Sequence, residues 1–186
     1  DVMRRLTRIL IAAAAIVTAT VVLSAADWPQ VLGPTRNGVY NGPPLAPSWP
    51  TSGPRRVWQK SVGEGFAGPA VAGDRLILFH RVMDQEVVEA LDVKTGEGRW
   101  RYAYATAYRD DFGFDEGPRA VPVVVAGRVY TFGAEGVLTA LDLNTGRKIW
   151  SVDTFHRFDV RKGFFGAAGS PIVENGRVIA NIGGKD

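Results

Sequence analysis

Short apolar runs bounded by turn-forming residues recur along this chain. Leu76-Ile77-Leu78-Phe79 follows Gly73-Asp74, Val129-Tyr130-Thr131-Phe132 follows Gly127, and Val178-Ile179-Ala180 follows Asn175-Gly176. β-branched and aromatic residues between turn formers predict strands. A second run follows each of the first two, Val87 to Leu91 and Val137 to Leu141. The intervening hairpin is Gly133-Ala134-Glu135-Gly136 in the second copy and about three residues longer in the first. Each second run ends in Asp-x-x-Thr-Gly, a tight turn in which Asp and Thr bond backbone groups and Gly is free to take φ > 0. An outer strand then carries Trp100 or Trp150. Four strands in roughly 50 residues, without helical periodicity, predict an all-β fold of propeller blades or a sandwich.

Repetition favours the propeller. Each copy opens with a proline and an arginine six residues on: Pro69/Arg75, Pro122/Arg128 and Pro171/Arg177. A fixed period means one supersecondary unit stacked on its neighbours. Ala90-Leu91-Asp92-Val93-Lys94-Thr95-Gly96, with Trp100 beyond it, returns as Ala140-Leu141-Asp142-Leu143-Asn144-Thr145-Gly146 with Trp150. This pattern resembles the tryptophan-docking motif of quinoprotein-type β-propellers, over roughly residues 58–183. That superfamily includes dehydrogenases dependent on pyrroloquinoline quinone (PQQ) and the non-enzymatic BamB-type outer-membrane assembly factors. The resemblance implies that each tryptophan packs between blades and that each Asp-Thr-Gly turn ties strands together. Asp92, Thr95, Gly96, Trp100, Asp142, Thr145, Gly146 and Trp150 would then be structural. Blades are expected near 69–102 and 122–152, with an incomplete one over 171–186. A propeller typically closes with 4–8 blades, so about two and a half blades predict a fragment of a longer protein.

The N-terminus has the pattern of an export signal. Met3-Arg4-Arg5-Leu6-Thr7-Arg8 is basic, and Ile9 to Leu23 is an apolar stretch shorter than the about 20 residues of a membrane span. Ser24-Ala25-Ala26 supplies the small residues of a cleavage site before Asp27, so residues 1–26 read as a signal peptide. Membrane contact is then expected only through the cleaved leader, with the mature protein periplasmic or secreted; retention of the leader as an anchor is the alternative. The whole chain has 22 basic and 19 acidic residues, and losing Arg4, Arg5, Arg8 and Asp1 leaves 19 and 18. That balance has no electrostatic footprint for nucleic acid. The absence of cysteine excludes a disulfide framework and the lipidation cysteine of BamB-type proteins.

Residues 27–60 form a Pro- and Gly-rich lead-in before the partial propeller of 61–186. Arg56-Val57-Trp58-Gln59-Lys60 is similar to the strand with which the N-terminus closes the last blade in this family. Trp58 would be a third docking tryptophan, on a segment expected to lack native neighbours here.

Candidate chemistry falls in the segments connecting blades. Gly65-Phe66, Gly113-Phe114 and Gly163-Phe164 each precede a blade-opening proline. They read either as packing around the axis or as the lining of a channel mouth. The most charged segment carries Arg109, Asp110, Asp111, Asp115, Glu116 and Arg119. These residues are candidates for internal ion pairing, for a ligand or partner surface, or for Ca²⁺, which takes 6–8 oxygens. Gly63-x-Gly65-x-x-Gly68 matches a dinucleotide fingerprint only formally, since a strand follows instead of a helix. His80, expected at a strand end, and His156, expected in a loop, are non-equivalent and suggest no zinc site. Ser170 stands at a strand entrance with no base indicated. The expectation is a non-catalytic scaffold that needs no cofactor and binds a protein partner or small ligand at the loop face. The alternatives are a PQQ- and Ca²⁺-dependent dehydrogenase fragment and a polymer-binding propeller. The adjacent cysteine pair that the resemblance associates with PQQ alcohol dehydrogenases is absent.

Overall fold

Two four-stranded antiparallel sheets and a two-stranded one make up a computed structural model that describes residues 27–184. The leader read over 1–26 lies outside the described residues. The first sheet runs β1 (Ala70–Ala72), β2 (Arg75–Val82), β3 (Gln85–Asp92), β4 (Gly98–Ala105), hydrogen-bonded in chain order. The second repeats it as β5 (Val123–Val125), β6 (Arg128–Phe132), β7 (Val137–Asp142), β8 (Lys148–Asp153). β9 (Ile172–Glu174) and β10 (Arg177–Ile179) pair as the start of a third. β1 lies beside β5 and β5 beside β9, so the opening strands gather at one axis and the sheets radiate as propeller blades. The only helix among the described residues is one turn, α1 (Thr154–Arg157), capped by Asp153, whose side chain accepts from His156 N.

The period-2 pattern explains the core. Ile77, Phe79, Val88 and Ala90 alternate along β2 and β3 and pack with Val124, Val129 and Leu141 of the second blade. Both blades carry a register shift at the same place, between Ala90 and Leu91 and between Ala140 and Leu141. It leaves each alanine, fully buried, directly across from the tryptophan of the outer strand.

The hairpins depart from expectation. β2 and β3 are eight residues each and turn through Met83-Asp84 alone, whereas β6 and β7 turn through Gly133 to Gly136. The extra residues of the first copy lengthen its strands and shorten its turn, because Met83 takes the left-handed φ of 55° that a two-residue hairpin requires.

The repeated turns follow one design. Asp92 accepts from Lys94 N and Thr95 N at 2.9 and 3.0 Å, and Asp142 from Asn144 N and Thr145 N at 3.0 and 2.9 Å. Gly96 and Gly146 sit at φ 75° and 69°. Each turn receives the tryptophan of the preceding unit. Trp100 Nε1 donates to Leu143 O at 2.8 Å, and its ring lies where a Cβ on Gly146 would be. Trp58 does the same on the first blade, donating to Val93 O at 3.0 Å against Gly96. The segment around Trp58 therefore has a neighbour, contrary to expectation, although it joins no sheet among the described residues. Trp100 and Trp150 are half-buried, and Trp150 packs on Tyr130, Val173 and Val178.

Residues upstream strap the axis. Trp28 pairs with Val71 of β1, Pro29 O accepts from Val124 N of β5 at 2.8 Å, and Arg36 reaches Glu174 of β9 at 2.6 Å. The inner strand edges, whose unpaired backbone would otherwise face solvent, are thereby covered.

Candidate functional site

Strand direction places the connecting segments 63–69, 106–122 and 154–171 at one end of the sheets, and the Asp-x-x-Thr-Gly turns at the other. The connecting segments stack on one another. Glu64 bridges Arg81 in both directions at 2.9 and 2.7 Å, and Phe66 N and Ala67 N both donate to Pro118 O. A Cβ on Gly63 would collide with Arg81 O, and one on Gly117 with Glu64 O. The glycines thus serve close backbone contact, while Phe66, Phe114 and Phe164 of the Gly-Phe pairs are all exposed.

The charged loop turns its acids inward. Asp110 has no exposed side-chain surface; it accepts from Phe112 N and Phe114 N and meets Arg119 at 3.2 Å. The Phe114 N–H holds its carboxyl below the usual range. Asp115 accepts from Gly65 N at 3.0 Å and Gly117 N at 2.7 Å, joining two connecting segments. Glu116 pairs with Arg109 at 2.9 Å and with Arg81 at 3.3 Å. Asp111, the most exposed of the four, pairs with Lys162 of the next connecting segment at 2.6 Å. Arg119 donates to Asp115 O at 2.6 Å and to Gly117 O, and its guanidinium lies 4.6 Å over the Tyr108 ring.

Arg81 anchors this arrangement, although no motif of the sequence marks it. It is buried and donates to Met83 O, Tyr108 O and Glu116 O. Its signal was an arginine in register with Ile77 and Phe79 on a core-facing strand position.

A Ca²⁺-bound quinone does not fit these residues. The four carboxylates are each taken up by backbone N–H groups, guanidinium or ammonium rather than aimed at one point. Among the described residues no three His, Cys, Asp or Glu side chains are grouped to hold a metal. The remaining candidates are structural in geometry. His80 lies inside β2, not at a strand end; its Nδ1 accepts from Gly63 N at 2.8 Å and burial pushes its pKa down. His156 sits in α1 rather than a loop. Ser170 Oγ accepts from Val121 N at 2.8 Å, joining the entrances of the second and third blades.

One buried carboxylate links the blades beneath this face. Glu86 Oε2 accepts from the Tyr104 hydroxyl at 2.5 Å, and Oε1 accepts from Ala134 N at 2.8 Å in the second blade's hairpin. Ala134 O in turn accepts from Ala167 N at 2.8 Å, so the third connecting segment rests on the same hairpin. Burial pushes the Glu86 carboxyl up.

A match to a family model spans all of these blades. Residues 48–185 match the family model described as outer membrane protein assembly factor BamB. A 101-residue stretch is 34% identical to the quinohemoprotein alcohol dehydrogenase ADH-IIG of Pseudomonas putida. A stretch of the same length is 32% identical to the quinohemoprotein alcohol dehydrogenase of Comamonas testosteroni. Each covers 54% of this chain and 14% of the relative, so the chain spans a small part of the curated relatives it matches. Among solved structures, BamB from Moraxella catarrhalis aligns with TM-score 0.47 at 22% identity, over 61% of this chain and 33% of that one. No helix among the described residues is long and apolar enough to cross a membrane. With most of its length matched by that family's model, the chain belongs to the BamB family of PQQ-like β-propeller repeat proteins.

Proposed function

We propose that this protein is an exported, non-catalytic β-propeller scaffold that holds a protein partner on the face formed by its connecting loops. Residues 1–26 would be its leader, 27–60 its strap and closure segment, and 61–186 its blades. The observation that carries this reading is the charged loop: Asp110, Asp115 and Glu116 are spent on shaping it, while Phe112 and Phe114 are left outside. A loop built this way is a rigid presentation surface, and exposed aromatics beside ordered polar groups are what recognition sites offer. Membership of the BamB family supports the same direction. The repeat residues Asp92, Thr95, Gly96, Trp100, Asp142, Thr145, Gly146 and Trp150 act in this reading as scaffold.

A photo-crosslinker at position 114 of the full-length protein is expected to trap a specific partner. The same probe at position 94, at the opposite end of the blades, is expected to trap none. Equal capture from both ends would refute the loop-face assignment. Mass spectrometry of the exported protein is expected to find Asp27 as its first residue.

The second reading, a PQQ-dependent dehydrogenase fragment, is favoured by the 34% identity to an alcohol dehydrogenase. Dye reduction by purified full-length protein with PQQ, Ca²⁺ and an alcohol decides between them. The scaffold reading expects none, and turnover would overthrow it.

A further inference from the structure

The second and third connecting loops meet in a patch of phenylalanine. Phe112 and Phe164 lie 4.2 Å apart, Phe164 and Phe165 4.9 Å, and Phe112 and Phe114 6.1 Å. They come from two different loops, clamped together by Lys162, whose ammonium donates to Asp111 and to Arg109 O. Their exposures are 46, 71, 64 and 45% for Phe112, Phe114, Phe164 and Phe165. Four large apolar side chains left in water side by side cost free energy unless something covers them.

The charge around them selects the cover. In the second loop, Asp110 and Asp115 are spent on backbone N–H groups and Glu116 on Arg81 and Arg109. The third loop carries Arg157, Arg161 and Lys162 against Asp159, all four exposed, and Lys162 is paired with Asp111 of the second loop. Arg161 makes no hydrogen bond or ion pair among the described residues. Resting on the reading of this face as a partner surface, we propose that it recognises a protein segment in which apolar side chains alternate with carboxylates. The apolar side chains cover the phenylalanine patch, and a carboxylate meets Arg161. Phe112 and Phe164 pack on each other at 4.2 Å, with 30° between ring planes, and both stay exposed to solvent. The patch therefore offers a contiguous apolar contact more than the isolated open ring on which a sugar would stack.

Fluorescence anisotropy of a labelled peptide of Asp-Phe-Glu-Leu repeats, titrated with full-length protein, tests this. Peptides of Lys-Phe-Lys-Leu and Asp-Ser-Glu-Ser repeats serve as controls, and each is expected to bind at least roughly tenfold more weakly. The double variant Phe112→Ser/Phe164→Ser is expected to lose roughly tenfold or more in affinity at unchanged Tm, since both rings are exposed. Arg161→Glu is expected to weaken binding and flatten its salt dependence. Equal binding of the lysine peptide, or undiminished binding by the serine variant, overturns the proposal. So does a neutral glucan that binds the wild type and not the serine variant. Specific crosslinking from position 114 without any peptide binding would refute this partner chemistry and leave the scaffold reading standing. Dye reduction would do the reverse.

Discussion

Trp100 and Trp150 hold the same place in two copies of one sequence, and among the described residues Trp100 docks on a turn. It donates to Leu143 O and lies against Gly146, while Trp150 meets Tyr130 at 6.0 Å and the side chains of Val173 and Val178. Trp100→Ala is therefore expected to lower stability by about 3 kcal/mol in urea unfolding, at the low end for a large aromatic because the ring is half-buried. A loss under about 1 kcal/mol would show that docking on the turn contributes little. Asp92 offers a pH test. The Arg99 guanidinium, helped by Thr95 N–H and Lys94 N–H, lowers its pKa to about 2 from 3.8. A folded-state pKa below the unfolded one means the stabilisation is complete above the unfolded value and fades as pH falls through the folded one. Stability should accordingly decline between about pH 4 and pH 2, and less steeply in Asp92→Asn.

Between elements, the buried Glu86 is the contact to perturb. It joins Tyr104 of the first blade to Ala134 of the second. Glu86→Ala would strand a buried hydroxyl and a buried N–H, and should cost about 2–4 kcal/mol. Glu86→Gln can keep one acceptor and one donor there without a charge. Because burial raises this carboxyl's pKa, its stabilising contribution is fully present below the ordinary value of 4.5 and is lost as pH rises through the folded value. The glutamine variant should remove that loss, so its advantage over wild type should grow with pH; a constant difference would refute the assignment. The charged loop behaves as an element of its own. Asp110→Asn should speed hydrogen exchange at Phe112 and Phe114, whose amides it holds, whereas Asp111→Asn, at an exposed surface pair, should leave them unchanged.

At the scale of the molecule, the strap formed by residues 28–36 touches all three blades near the axis. Deleting 27–36 would uncover the backbone of Val71 and Val124 on inner strand edges. A lower Tm and concentration-dependent association in light scattering are expected, since bare strand edges recruit other strands. Unchanged Tm and a monodisperse sample would mean the strap is passive. The exposed aromatics gather where the connecting segments do, on the face proposed for recognition.

The sequence alone determined the blades. Period-2 alternation, turn formers and the Ala-Leu-Asp-x-x-Thr-Gly repeat are local signals, and a repeated fold expresses them the same way in each copy. Tertiary structure decided what those signals leave open. Whether three additional residues lengthen a turn or two strands depended on pairing along β2 and β3. Whether the acids of residues 110–116 face solvent depended on Arg81 and Arg119, and on the amides of Gly65 and Gly117, brought beside them only when the connecting segments stack. Trp58 found its dock 35 residues away on the turn of the first blade. The phenylalanine patch, written as separate Gly-Phe pairs fifty residues apart, became one surface because adjacent blades set their loops side by side.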